Sequence, residues 1–66
     1  MVRQNLINAR KKANLIQAEL ALKINVTTRQ YQRLEAGTSK GSVEVWEKLS
    51  SLFGKSINFL LEQEQS

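Results

Sequence analysis

The sequence predicts an all-α protein, a compact bundle of five short helices. The chain has 66 residues, less than half of the roughly 150 of a usual domain, so we expect a single domain. It contains no proline, and its apolar residues recur at three- and four-residue steps between a few breaks. The breaks are Asn14, Asn25, the stretch 37–42 and Gly54. We expect a folded core over about residues 3–61 and a frayed tail at 62–66.

The first two helices are predicted over residues 3–13 and 17–23. Asn14 suits the left-handed residue that ends the first of them. Ile16 stands where Ser, Thr or Asn would accept backbone N–H groups, so the second helix starts without a good side-chain cap. The residues of the two inward faces are Leu6, Ala9, Ala13, Leu20, Ala21 and Ile24.

Three more helices are predicted in the rest of the chain. The third spans about residues 28–36 after the N-cap Thr27. The fourth follows the cap Ser42 and is closed by Gly54, and a short fifth helix follows Ser56. Their apolar stripes are Val43, Trp46, Leu49, Leu52 and Phe53, then Ile57, Leu60 and Leu61.

The second and third helices are joined by only about three residues, 24–26, so they must cross steeply. Ala21 is small where the two axes approach, and Asn25 tolerates a positive φ in the turn. The inward anchors are Leu20, Ile24, Val26, Tyr31 and Leu34. The outward face of the third helix then carries Thr28, Arg29, Gln32 and Arg33. This spacing is that of a helix-turn-helix, whose second helix enters the DNA major groove.

Charge is unevenly divided along the chain. Ten basic and six acidic residues give +4, with +6 in residues 1–33 and −2 in residues 34–66. Such asymmetry is expected when one surface faces a polyanion. A solvated surface with surplus lysine explains the same numbers, so charge alone leaves both interpretations open.

Composition also excludes classes of function. The chain has no Cys and no His, so the usual zinc ligands and the usual general base are missing, and because all its acidic residues are Glu, it has no Asp-based magnesium cluster. We therefore expect no enzyme, no metal, no cofactor and no small-molecule ligand. No apolar run approaches the roughly 18 to 20 residues that cross a bilayer, and the N-terminus lacks the apolar core of a signal peptide. We expect a soluble, cytoplasmic protein.

Four segments carry a resemblance to a known family. They are residues 17–21 (QAELA), 24–26 (INV), 34–37 (LEAG) and 52–57 (LFGKSI). In this register the chain resembles the phage repressor and Cro-type, or XRE-type, helix-turn-helix domain from about residue 6 to 61. The resemblance implies a lambda-repressor-like bundle of five helices, with the helix-turn-helix in helices 2 and 3, that binds operator DNA as a homodimer.

The resemblance also implies roles for single residues. In the family the positions of residues 27–29, 32 and 33 face DNA, and the side chains expected from their chemistry to contact bases are Thr28, Arg29, Gln32 and Arg33. Those expected to contact phosphates are Gln17, Thr27, Thr38, Ser39, Lys40 and Ser42. A solvated helix start is the alternative for Gln17, and an ordinary solvated loop is the alternative for residues 38–42. Arg10 and Glu35 match an arginine and a glutamate that pair to tie helix one to the end of helix three. The sequence departs from the family at Ile16, at Asn25 in place of glycine, and at Gly41 in place of proline.

The chemistry of these side chains leaves alternatives. A guanidinium at Arg29 or Arg33 can bind O6 and N7 of guanine, and phosphate contact is the main rival. Thr28 and Gln32 suit thymine and adenine, yet either could only cap the helix or be solvated. Tyr31 could stack on a base, but its inward spacing favours the core. Trp46 is interpreted in the same way.

The fifth helix is the expected dimer interface. One recognition helix reads too few base pairs for an operator, so a twofold dimer is expected, in some conditions only on DNA. Ile57, Leu60 and Leu61 are more apolar than a short terminal helix needs. We assign part of that set to the core and the remainder to the contact with a second copy.

The sequence therefore predicts a sequence-specific regulator of transcription that binds double-stranded DNA, with a phage or other prokaryotic repressor as the expected kind. The alternative is a protein-interaction module of the same fold, an antitoxin-like or anti-repressor subunit. The outward face of the third helix is basic and rich in amides, which favours DNA.

Overall fold

The computed structural model describes residues 2–62, which form five α-helices and no strand. They are α1 (Gln4–Lys12), α2 (Gln17–Lys23), α3 (Thr28–Ala36), α4 (Val43–Phe53) and α5 (Ile57–Leu61). The predicted all-α class and the order of the helices are confirmed. Of the expected frayed tail, only Glu62 belongs to the described residues, and the rest lies outside them.

Local chemistry explains where the helices begin and end. The hydroxyl of Thr27 accepts a hydrogen bond from the backbone of Gln30 at 3.0 Å, and Ser42 and Ser56 cap α4 and α5 in the same way. The Ile16 side chain has no atom that can accept a hydrogen bond from the first turn of α2. The capping bond at this end is instead donated by the Ile16 backbone N–H to the Glu19 carboxylate at 3.0 Å. The weak start predicted for α2 is therefore present.

The turn between α2 and α3 has the geometry that the sequence predicts. Asn25 adopts φ 61°, and the Val26 N–H donates to the Ala21 carbonyl at 2.9 Å. Ala21 is buried where the two helices meet. The small side chain and the left-handed residue together let α3 cross close over α2.

A single apolar core lies between the five helices. It consists of Leu6, Leu20, Ala21, Ile24, Tyr31, Leu34, Trp46, Leu49 and Leu60. The stripe predicted on α4 is narrower than expected, because Leu52 is 45% exposed and Val43 more so. Both lie at the edges of the stripe, where the neighbouring helices do not reach. None of the helices in residues 2–62 is long and apolar enough to traverse a bilayer.

Candidate nucleic-acid interface

The outward face of α3 carries a group of polar side chains with few ties to the fold. Thr28, Arg29, Gln32 and Arg33 are all exposed. Arg29, Gln32 and Arg33 line an open concavity of about 320 Å³ together with Ala36. Within residues 2–62, neither guanidinium on this face has an ion pair or a side-chain hydrogen bond. Two extended cations one helical turn apart are therefore free to meet an external anion or a base edge.

The opposite face of α3 holds the helix in place. Tyr31 and Leu34 are buried there, on the side of the helix away from the exposed residues. Glu35 is also buried, and its carboxylate is the centre of a polar cluster. Tyr31 and Trp46 thus belong to the core, as the inward spacing predicts.

The Glu35 carboxylate receives hydrogen bonds from three elements. Arg10 Nε donates to Oε2 at 2.6 Å, and their side chains are 12% and 6% exposed. The Tyr31 hydroxyl donates to the same oxygen at 2.5 Å, and Gln17 Nε2 donates to Oε1 at 2.9 Å. The expected pair of Arg10 with Glu35 is brought together, and Gln17 joins it.

This cluster shifts the protonation of its members. The hydrogen bond to Glu35 raises the pKa of Arg10. Burial, followed by the hydrogen bond and the charge of Glu35, raises the pKa of Tyr31 far above its ordinary value of 10.0. Arg10 is therefore a fixed cation and Tyr31 a fixed neutral donor at physiological pH, which is a structural arrangement and not an acid–base pair.

Gln17 was expected at a phosphate, and the structure shows a second connection for it. Its Oε1 accepts a hydrogen bond from Gln32 Nε2 at 3.3 Å. Gln17 thus bridges the buried carboxylate of Glu35 and a side chain on the outward face of α3. The first residue of α2 and the outward face of α3 are linked by amide groups.

The loop 38–42 is held mainly by contacts that other parts of the chain make with its backbone. The Trp46 indole donates to the Lys40 carbonyl at 2.6 Å. Gly41 adopts φ 69°, and a Cβ there would lie 2.8 Å from Leu34 Cδ2 and 2.8 Å from Trp46 Nε1. Glycine is required at this position by conformation and by space.

The loop presents the polar groups that were expected to meet phosphates. Thr38, Lys40 and Ser42 are exposed, and Ser39 is half-buried. The Ser42 hydroxyl already accepts the N-cap hydrogen bond of α4, and the Thr27 hydroxyl does the same for α3. Each hydroxyl keeps its own proton free to donate, so a cap and a phosphate contact are compatible.

Arg3 is a site residue that the sequence reasoning missed. It is 4% exposed and forms hydrogen bonds with the end of α3, the loop 38–42 and the end of α5. No pattern in the sequence around this arginine indicates whether its side chain is buried or solvated. Its acceptors are distant carbonyl oxygens, which leave no mark in a sequence.

The expected dimer surface on α5 needs one correction. Leu60 is 0% exposed and belongs to the core of one chain, so it offers no surface to a second copy. Ile57 and Leu61 are half-buried and pack at the edge of the core. Phe59, which was not predicted, is 42% exposed on the same helix. On α5, Ile57 and Leu61 therefore share the side that meets the edge of the core, and Phe59 lies on the outward side of the helix.

Comparison with known proteins agrees with this geometry. A family model described as helix-turn-helix matches residues 6–60, which is most of the chain and includes α2, the turn and α3. No curated protein matches the sequence.

Proposed function

Because the chain belongs to the Cro/C1-type (XRE) helix-turn-helix family and is thus a DNA-binding regulator, we propose that it is a sequence-specific transcriptional repressor. In this proposal α3 lies in the major groove of an operator half-site. The family is one of regulatory DNA-binding domains and not of enzymes. A repressor of this kind acts where its DNA is, in the cytoplasm of a prokaryotic cell.

One observation carries the proposal: the two guanidinium groups on the outward face of α3 have no partner among the described residues. Burying Arg29 and Arg33 against protein would need carboxylates or carbonyl acceptors, and in the described part of the chain neither has any. A guanine edge offers O6 and N7 to one guanidinium fork, and a good bidentate contact discriminates by about 1 to 3 kcal/mol. We assign base contacts to Thr28, Arg29, Gln32 and Arg33.

Phosphate contacts are proposed on both sides of this face. Gln17 and Thr27 lie at the N-termini of α2 and α3, where free N–H groups and the helix dipole favour an anion. The loop residues Thr38, Ser39, Lys40 and Ser42 are proposed to contact the backbone beyond the other end of α3. Such contacts fix the register of α3 without reading sequence.

The proposed assembly is a homodimer on DNA through α5. Ile57 and Leu61 lie half-buried at the edge of the core, and Phe59 is exposed on the outward side of the same helix, so α5 offers apolar side chains to a second copy while the recognition face lies on another helix. A twofold axis there sets the two copies of α3 about 34 Å apart, one turn of B-DNA. The operator is then a pseudo-palindrome with half-site centres about 10 base pairs apart.

Selection from random duplex DNA at a fixed salt concentration tests the proposal. We expect a recovered motif with two inverted half-sites and two chains per site in a footprint and stoichiometry measurement. A motif without repeated half-sites, or one chain per site, would contradict the dimer. Recovery of no motif would contradict sequence-specific binding and favour the protein-interaction alternative.

A further inference from the structure

A buried arginine connects the loop 38–42 to the rest of the fold. Arg3 Nη1 donates to the Leu34 carbonyl at 2.6 Å and to the Ser39 carbonyl at 2.8 Å. Arg3 Nε donates to the Leu61 carbonyl at 3.2 Å. One guanidinium therefore joins the last turn of α3, the loop and the end of α5.

A second layer holds the loop from the side. The Arg3 guanidinium lies 5.1 Å from the centre of the Trp46 ring, and the Trp46 indole donates to the Lys40 carbonyl. A Cβ at Gly41 would lie 2.8 Å from Leu34 Cδ2 and 2.8 Å from Trp46 Nε1, so the backbone of the loop passes close to these two side chains. Two successive loop carbonyls, those of Ser39 and Lys40, are thus held by Arg3 and Trp46.

The charge of Arg3 is not neutralised by a carboxylate among residues 2–62, where its acceptors are backbone carbonyls. Burial lowers the pKa of Arg3, yet a guanidinium remains charged in proteins. The carbonyls of Leu34 and Leu61 lie at the negative ends of α3 and α5, which favours a cation there. Arg3 is therefore a stable structural cation behind the loop.

Without these contacts the loop would depend on few bonds. Its other backbone hydrogen bonds are those of the Thr38 and Ser39 N–H groups to the Arg33 carbonyl, of the Gly41 N–H to the Ser39 hydroxyl at 3.3 Å, and of the Trp46 N–H to the Ser42 carbonyl at 3.2 Å. Ordering a free backbone segment costs conformational entropy, so a loop that is ordered only on binding binds more weakly than one that the fold has already ordered.

We propose that Arg3 is a positioning residue for DNA binding, which holds the loop 38–42 in the conformation that contacts a phosphate. This inference rests on the proposed function, in which Lys40 and its neighbours contact the backbone. Arg3 itself touches no DNA. It acts through the carbonyl of Ser39 and, with Trp46, through the conformation of Lys40.

The test is a double-mutant cycle in the full chain. Arg3→Met and Lys40→Ala are made singly and together, and affinity is measured on the selected duplex and on a scrambled duplex over a range of salt. Thermal melting establishes a temperature at which every variant is folded. Lys48→Met, which removes an exposed cation on α4, is the control and is expected to bind within about twofold of the parent.

We expect Arg3→Met to weaken binding to both duplexes by the same factor, about tenfold near 0.1 M salt, and to reduce the salt slope by about 1. In the Arg3→Met background, Lys40→Ala should then have little further effect, because the loop no longer presents Lys40 to its phosphate. A purely structural role for Arg3 would leave the effect of Lys40→Ala unchanged in folded protein.

Arg3→Lys separates geometry from charge. A lysine keeps the cation but lacks the planar fork that serves several carbonyls. We expect it to bind as weakly as the methionine variant. Full recovery of affinity by lysine would mean that the charge alone acts, and would overturn the positioning role.

The remaining outcomes are distinguishable. If Lys40→Ala has no effect in the parent chain, the proposed phosphate contact of the loop fails, and the inference fails with it. If Lys40→Ala weakens binding equally in both backgrounds, the phosphate contact stands and the role of Arg3 is rejected. If Arg3→Met does not fold, the same cycle with Trp46→Phe, which removes the donor to the Lys40 carbonyl, decides by the same criterion.

Discussion

Two sets of arginines in this protein show how differently one side chain can be used. Arg3 and Arg10 are committed to the fold, one to three carbonyl oxygens and the other to the carboxylate of Glu35. Arg29 and Arg33 have no such partners among the described residues and extend from α3 into solvent. The function of a cation on a DNA-binding domain therefore depends on whether the fold already satisfies it, and not on its charge alone.

The largest effect is expected from a substitution that removes the partner of Arg10, one of the two arginines committed to the fold. Glu35→Ala removes the acceptor of Arg10, Tyr31 and Gln17, and leaves a guanidinium without its carboxylate. Loss of one member of a buried pair costs about 3 to 5 kcal/mol, so we expect the free energy of unfolding to fall by that amount. Chemical denaturation measures it. The exposed Glu47→Ala is the control and should change stability by less than about 0.5 kcal/mol; equal effects of the two substitutions would contradict the buried cluster.

The next effect concerns the loop that the committed residues support. Gly41→Ala places a Cβ in a left-handed conformation and within 2.8 Å of Leu34 and Trp46. The conformation costs about 1 to 2 kcal/mol and the overlap about 1 to 3 kcal/mol of stability. Gly54→Ala has a similar φ with nothing within 4 Å, so it should cost only the first amount. If both variants melt at the same temperature, the overlap at Gly41 has no energetic consequence.

The uncommitted set should show the reverse pattern. Arg29→Ala and Arg33→Ala are each expected to lower affinity for the selected operator by about 1 to 3 kcal/mol and to relax base preference at particular positions. Their stability should stay within about 0.5 kcal/mol of the parent. Titration against operator and scrambled duplexes checks this. An equal loss on both duplexes would reassign these arginines to phosphate contacts.

The smallest effect is a dependence on alkaline pH through Tyr31, the only tyrosine of the chain. Above its ordinary pKa of 10.0 the unfolded state releases the phenolic proton, while the folded state, whose pKa is raised, retains it. Stability from this group is therefore complete below pH 10 and declines as the pH rises, by an amount that approaches about 1.4 kcal/mol per pH unit. Denaturation at pH 9 and pH 11 should show a smaller decline for Tyr31→Phe, and equal declines would contradict the shift.

The sequence by itself determined the local part of this structure. Apolar spacing and capping residues located the five helices of residues 2–62, and Asn14, Asn25 and Gly54 each adopt the positive φ that their positions require. The outward position of Thr28, Arg29, Gln32 and Arg33 followed from the same periodicity. Once the apolar side of α3 is assigned to the core, the residues on its other side must face solvent.

Only the tertiary structure decided which residues at the edges of the apolar stripes are buried and which residues distant in sequence come into contact. Leu60 is buried and Leu52 exposed, although both lie on apolar stripes, because burial depends on whether another helix covers that edge. Gln17 meets Glu35, and Arg3 meets carbonyls up to 58 residues away. Periodicity describes the faces of one helix, whereas these contacts depend on the packing of several helices and on backbone acceptors that every residue carries alike.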